Sequence, residues 1–431
     1  MNKFIIIVLL FLLVNCSLDT KSGIWDKDDK LKQTEFKLQK ILNEDEVFEK
    51  EFNSNFILKI KNNQNDLNNL NDTNNTDILQ SQLNFKKINS FKFKKISNFK
   101  NFEPDLVSNQ DSFIFFDDKR NILKFNKDFK LVWKKNYYSK TEKKNNPLLS
   151  FALSNNKLIV TDTIGKIYNI DINSGELIWS KKNNHPFNSQ VKIYNEKIFV
   201  IDMNNILSCY SLENGKKFWS FNSENTFLNS NKRKSIAIYN NIVYFNNSIG
   251  DIIALNSEDG SLIWQIPTQS SSIYENAFNM KMSDLVIYEN DIFFSNNRNQ
   301  FYSINLINGV LNWRQSVNSN LRPIIIDKII LTISNEGFLF VIDKEKGNIL
   351  RVTDVFDIFK IKNRSKIYPV GFVATENNLL ISLNNGKLLI VDTSSGKARS
   401  IVKLDNSKIS SPFVFDNKIF LIKDDAIIKL D

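Results

Sequence analysis

A chain of 431 residues, with 57 Lys and Arg against 47 Asp and Glu, carries a formal charge of +10 and is long enough for one large domain or two ordinary ones. The basic residues are scattered through Asn-rich turns, with small clusters at Lys86-Lys87, Lys94-Lys95, Lys143-Lys144 and Lys232-Arg233-Lys234. This reads as a solvated surface, or as attraction to an acidic partner or anionic membrane, and the lack of a helix-turn-helix pattern, ribonucleoprotein motif or zinc spacing argues against a nucleic-acid partner.

The N-terminus has the form of an export signal. Lys3 precedes the apolar run Phe4 to Val14, which is too short to span a bilayer and right for a signal-peptide core. The run ends at Leu13-Val14-Asn15-Cys16-Ser17, which resembles a bacterial lipobox. That resemblance, over residues 1–16, implies that Cys16 is lipidated and becomes the mature N-terminus, attached to a membrane without crossing it. Ser17 is compatible with sorting to the outer membrane. Asn15 stands where the lipobox takes Gly, Ala or Ser, so a non-lipidated signal peptide and a permanent anchor stay open. With Cys16 acylated, the remaining Cys209 has no partner for a disulfide. It lies in the apolar run Ile206 to Tyr210 and reads as a small buried hydrophobe.

Residues 17–82 differ in texture. Leu31 to Phe52 is charged, with Leu38, Ile41, Leu42, Phe48 and Phe52 at loosely helical spacing. A short amphipathic helix and a partly ordered tether both fit. Lys61 to Gln82 is dominated by Asn, Asp and Gln and lacks the apolar residues of a core. The segment reads as a leash ahead of a folded domain at 83–431.

From there the chain repeats itself. Asp171/Gly175/Trp179 returns as Ser211/Gly215/Trp219, Asn256/Gly260/Trp264 and Asn305/Gly309/Trp313, and without Trp as Asp343/Gly347/Arg351 and Asp392/Gly396/Ser400. Asn126 to Trp133 is one residue shorter and lacks the Gly. Between signatures lie short apolar runs bounded by Asn, Asp, Ser and Gly, which is strand and turn chemistry. Gly165, Gly250, Gly337 and Gly386 each precede a signature Gly by ten residues. Pro104, Pro147, Pro186, Pro323, Pro369 and Pro412 precede the first apolar run of a unit, where a sheet tolerates a missing N–H. Units of about 40–45 residues and four strands have the dimensions of propeller blades. The last unit stops at Asp431, before its turn and final strand, while Phe85 to Phe93 supplies an extra strand ahead of the first unit. The predicted fold is all-β: an eight-bladed β-propeller of four-stranded antiparallel blades, closed by an N-terminal strand completing the last blade.

The segment Ala254 to Trp264 resembles the tryptophan-docking repeat of eight-bladed quinoprotein-type propellers. The resemblance covers roughly residues 100–431 and implies that Trp133, Trp179, Trp219, Trp264 and Trp313 pack between blades. Two branches share it. One is the outer-membrane protein assembly factor BamB family of lipoproteins. The other is the quinone (PQQ)-dependent dehydrogenases, whose alcohol dehydrogenases often carry a vicinal disulfide; this chain has no adjacent Cys pair. The enzymes also need a Ca²⁺ cage of converging oxygens, whereas Asp and Asn here fall mostly at repeated turn positions. His185, before Pro186, reads as a surface turn. No catalytic, cofactor or metal residue is assigned.

The BamB resemblance implies a non-enzymatic scaffold for inserting barrel proteins. Its partners would be the insertase BamA and the other lipoproteins of the assembly complex. The family's Leu-x-Leu-Arg segment corresponds to Leu228 to Ser235, with Arg233 the best-matching residue and Leu228 a poorer one. Its acidic stretch falls at Met280 to Asp284, where Asp284 keeps the charge and Met280 and Met282 depart. Lys232 and Lys234 read equally as a solvated loop. A propeller binding another ligand, such as a cell-envelope polymer, is the remaining alternative.

Overall fold

The computed structural model describes residues 49–60, 70–75, 88–97, 99, 103–109, 111–223, 232–268, 282–296, 299–415 and 418–430. Their strands form eight four-stranded antiparallel sheets. In chain order, blades 1 to 7 span 107–135, 149–182, 192–222, 236–266, 286–316, 324–354 and 369–403. Blade 8 takes its three inner strands from 413–430 and its outer strand, Ile88–Lys92, from the other end of the folded region. Ile88 pairs with Leu430 and Lys92 with Ala426, in continuous antiparallel register. The ring closes as the incomplete last unit predicts, and the closure covers an edge that would otherwise be open to pairing.

The two central strands of each blade are sandwiched between neighbouring blades, so both of their faces are buried. Lys157–Asp162 and Lys197–Ile201 are buried along nearly their whole length. Such strands read as continuous apolar runs rather than alternations. The outer strands are more exposed, apart from Ile349–Asp354 of blade 6; in Leu177–Lys182 only Trp179 is part-buried.

The signature is the device that joins one blade to the next. Its first residue makes an Asx turn: Asp171 Oδ1 accepts from the backbone N–H of Asn173 and Ser174 at 3.0 and 2.8 Å, and the Gly175 N–H donates to the Asp171 carbonyl at 2.9 Å. Gly175 has φ +69°, a region that costs glycine nothing. The turn lies on the Trp of the preceding blade. Each outer strand of blades 1 to 7 carries a register shift one residue beyond the pairing of this position, and such a bulge re-aims the side chain. The indole N–H then donates to a carbonyl of the next blade: Trp133 to Ile172 at 2.9 Å, Trp179 to Leu212 at 3.2 Å, Trp264 to Leu306 at 3.2 Å and Trp313 to Lys344 at 2.9 Å. The Trp219 indole N–H has no acceptor among the described residues.

Arg351 occupies the equivalent place between blades 6 and 7 and is fully buried. Its guanidinium donates to the Thr393 carbonyl at 3.3 Å, to the Ser394 carbonyl, and to the Phe56 carbonyl at 3.0 Å. Phe56 belongs to a strap, residues 49–60, laid on the outer edge of blade 6. Phe52 and Val352 exchange backbone hydrogen bonds of 3.0 and 2.9 Å. Leu58 is buried in the core shared by blades 6 and 7. Glu49–Asp431 forms one compact unit. The strap, and the short helix Leu70–Thr73 with the residues after it, thus lie against the propeller within the stretch that composition assigns to the leash. Cys209 is buried and unpaired.

Candidate partner-docking face

All inner strands of a propeller run the same way along the central channel, so the residues just ahead of them gather on one face of the ring. At five of the eight blades a charged residue stands at this entry. Arg233 precedes the inner strand Ile236–Tyr239 of blade 4, Asp284 precedes Val286–Tyr288 of blade 5, and Arg322 precedes Ile324–Ile326 of blade 6. Asp105 precedes Val107–Ser108 of blade 1, and Lys192 opens Lys192–Tyr194 of blade 3.

Four of these groups form ion pairs between blades. Arg233 Nη2 lies 2.8 Å from Asp105 Oδ2, and the same oxygen accepts from the Phe151 N–H at 3.0 Å. Arg322 grips Asp284 Oδ2 through Nε at 2.8 Å and Nη2 at 2.5 Å. Burial would raise the Asp284 carboxyl, but Arg322, with Arg233 and Lys232 behind it, holds it below its ordinary value. Burial pushes Lys192 down to about 7; Arg322 and Arg233 act with burial, and Asp72 and Asp284 oppose it. Two residues of the pair set are therefore brought into one electrostatic neighbourhood: Arg233 from blade 4 and Asp284 from blade 5.

The family profile described as "Outer membrane protein assembly factor BamB" matches residues 119–353, more than half of the chain and including both of these positions. The chain belongs to the outer membrane protein assembly factor BamB family. BamB from Moraxella catarrhalis is similar in structure, with a TM-score of 0.63 and 12% identity over 79% of this chain and 100% of that one. The quinohemoprotein alcohol dehydrogenase of Comamonas testosteroni is similar with a TM-score of 0.62 and 10% identity, over 83% of this chain and 78% of that one. That of Pseudomonas putida HK5, ADHIIG, has a TM-score of 0.59 and 11% identity, over 82% and 78%. At such identities the likenesses speak to fold alone. No curated protein matches the chain in sequence.

In this BamB-family chain the other sequence-predicted positions divide. Leu228, Met280 and Cys16 lie outside the described residues. Met282 is buried in the core of blades 4 and 5. Lys234 is not a solvated lysine: it is fully buried, donates to the Asp202 carbonyl at 3.1 Å, and is pushed down to about 8 by that burial. His185 is half-buried in the turn before Pro186. Sequence reasoning missed Asp105, Lys192 and Arg322. Their signal is positional, since each stands at a blade entry as Arg233 and Asp284 do.

Proposed function

We propose that this protein is a non-enzymatic scaffold of the outer-membrane β-barrel assembly machinery. It docks to the periplasmic domains of the insertase BamA through Arg233, Asp284 and Leu228. A lipid on Cys16 holds it to the periplasmic face of the outer membrane, beside the other lipoproteins of the complex. The family match over 119–353 carries this reading. The geometry supports it: Arg233 and Arg322 are both part-exposed on a rigid rim, and a fixed arginine fork is a good anchor for a protein partner. Opposite charges set around the mouth favour orientation and selectivity of docking.

The test begins with native protein extracted in mild detergent. The insertase co-purifies, and Arg233→Glu reduces its capture at least tenfold. Undiminished capture by the variant removes this interface; absence of the insertase from the wild-type sample removes the scaffold role. Tight stoichiometric binding of PQQ with Ca²⁺, or dye-linked oxidation of an alcohol, favours the dehydrogenase reading instead. Intact mass of the mature N-terminus reads the lipid on Cys16 directly.

A further inference from the structure

A part of the chain's own N-terminal segment lies at the channel mouth. Helix Leu70–Thr73 lies against the inner strands of blades 3, 4 and 5. Asn74 follows it and is 3% exposed. One carboxamide there meets three blades. Asn74 Nδ2 donates to the Ile236 and Leu285 carbonyls, both at 2.9 Å, and lies 3.2 Å from Gln190 Oε1 and 3.3 Å from Ser235 Oγ. Lys192 Nζ donates to Asn74 Oδ1 at 2.6 Å.

The network continues into the docking segments. Gln190 Oε1 also accepts from the Ile236 N–H at 3.0 Å, and Ser235 Oγ from the Leu285 N–H at 3.0 Å. Leu285 directly follows Asp284, and Ser235 and Ile236 follow Arg233 by two and three residues. Asp72 adds charge to the same place, since it acts on Lys192 together with Asp284.

We infer that residues 70–75 are a built-in part of the docking face: a carboxamide plug that holds the segments carrying Arg233 and Asp284 at the spacing the partner reads. Asn74 is a positioning residue, and Arg233 and Asp284 are the contacts. This rests on the docking reading proposed above. The plug lies inward of the rim, where Asn74 is buried while Arg233 and Arg322 keep about 40% exposure, so it supports the rim without covering it. An amide suits the socket because it donates to two carbonyls and accepts from a lysine at once. A carboxylate of the same shape loses the donation and repels both carbonyls.

The experiment uses the full chain with Asn74→Ala and Asn74→Asp, each alone and with Arg233→Ala. Amide exchange at Ile236 and Leu285 is followed without a partner, and binding is measured against the insertase's purified periplasmic domains. Exchange at both amides should rise at least tenfold in both variants. Affinity should fall about tenfold, and that loss should vanish in the Arg233→Ala background. A space-filling role would leave Asn74→Asp near wild type and would overturn the inference. Unchanged exchange also overturns it. So does faster exchange with affinity equal to or above wild type. If exchange rises but Arg233→Ala itself leaves binding intact, the docking reading has failed, and the plug's role in docking falls with it.

Discussion

Gly347 lies against the indole of Trp313: a β-carbon at position 347 would stand 2.4 Å from Cδ2 of that ring. The same approach joins Gly260 to Trp219 and Gly215 to Trp179. Gly347 also has φ +71°, so Gly347→Ala meets a clash and a backbone penalty together. The expected loss is about 2–4 kcal/mol in chemical denaturation. Trp313→Ala should cost about 3–5 kcal/mol. The double variant should cost clearly less than the sum, because the clash disappears with the ring.

Arg351 replaces Trp at this joint and adds a third partner. Arg351→Ala strands the Thr393, Ser394 and Phe56 carbonyls and should cost about 3 kcal/mol. Arg351→Trp separates the two tasks. An indole N–H restores the donation to Thr393 made by its counterparts, yet leaves the Phe56 carbonyl of the strap without its donor. Amide exchange at Phe52 and Leu58 should therefore quicken in Arg351→Trp while the midpoint of unfolding stays close to wild type.

The strap also carries a titrating group. Burial, with Glu336 beside it, lifts the Glu49 carboxyl from 4.5 to about 7, against the lowering effect of the Ser334 and Asn318 contacts. The docked strap thus binds a proton more tightly than the released one. Its stabilisation is complete below pH 4.5 and is lost as pH rises through 7. After correction for intrinsic exchange, protection at Leu58, whose N–H donates to the Ser394 carbonyl at 2.8 Å, should be greater at pH 5 than at pH 8. Glu49→Gln, which cannot ionise, should flatten that dependence.

These cases mark what the sequence makes legible. The Gly and Trp signature recurs because each joint needs the same turn against the same ring, so its period reveals the blades. The missing last strand and the spare first one reveal the closure. Blade 1 hides its turn: Phe129 takes φ 62° without glycine, which shortens the signature and removes its marker. The strap and plug are invisible for another reason. Each is held by a few groups, such as Leu58 and Asn74, whose partners lie far away in the chain, and Asn-rich composition does not report a socket 161 residues downstream. Arg233 and Asp284 were legible through the family resemblance. Their counter-ions Asp105 and Arg322 were not, because pairing between blades follows from the ring and not from local pattern.

The pairing of Asp284 with Arg322 allows the docking role of the carboxylate to be separated from its structural one. Asp284→Arg places a third cation beside Arg322 and Arg233 and should lower both stability and capture of the insertase. Arg322→Asp alone leaves two carboxylates facing each other and should also destabilise the mouth. Combined, the swap restores an ion pair with its sign reversed, so the unfolding midpoint should recover most of the loss. Capture should not recover, because the partner meets an arginine where it reads a carboxylate. Recovery of both would make Asp284 a structural residue only and would leave Arg233 as the charged contact at this face.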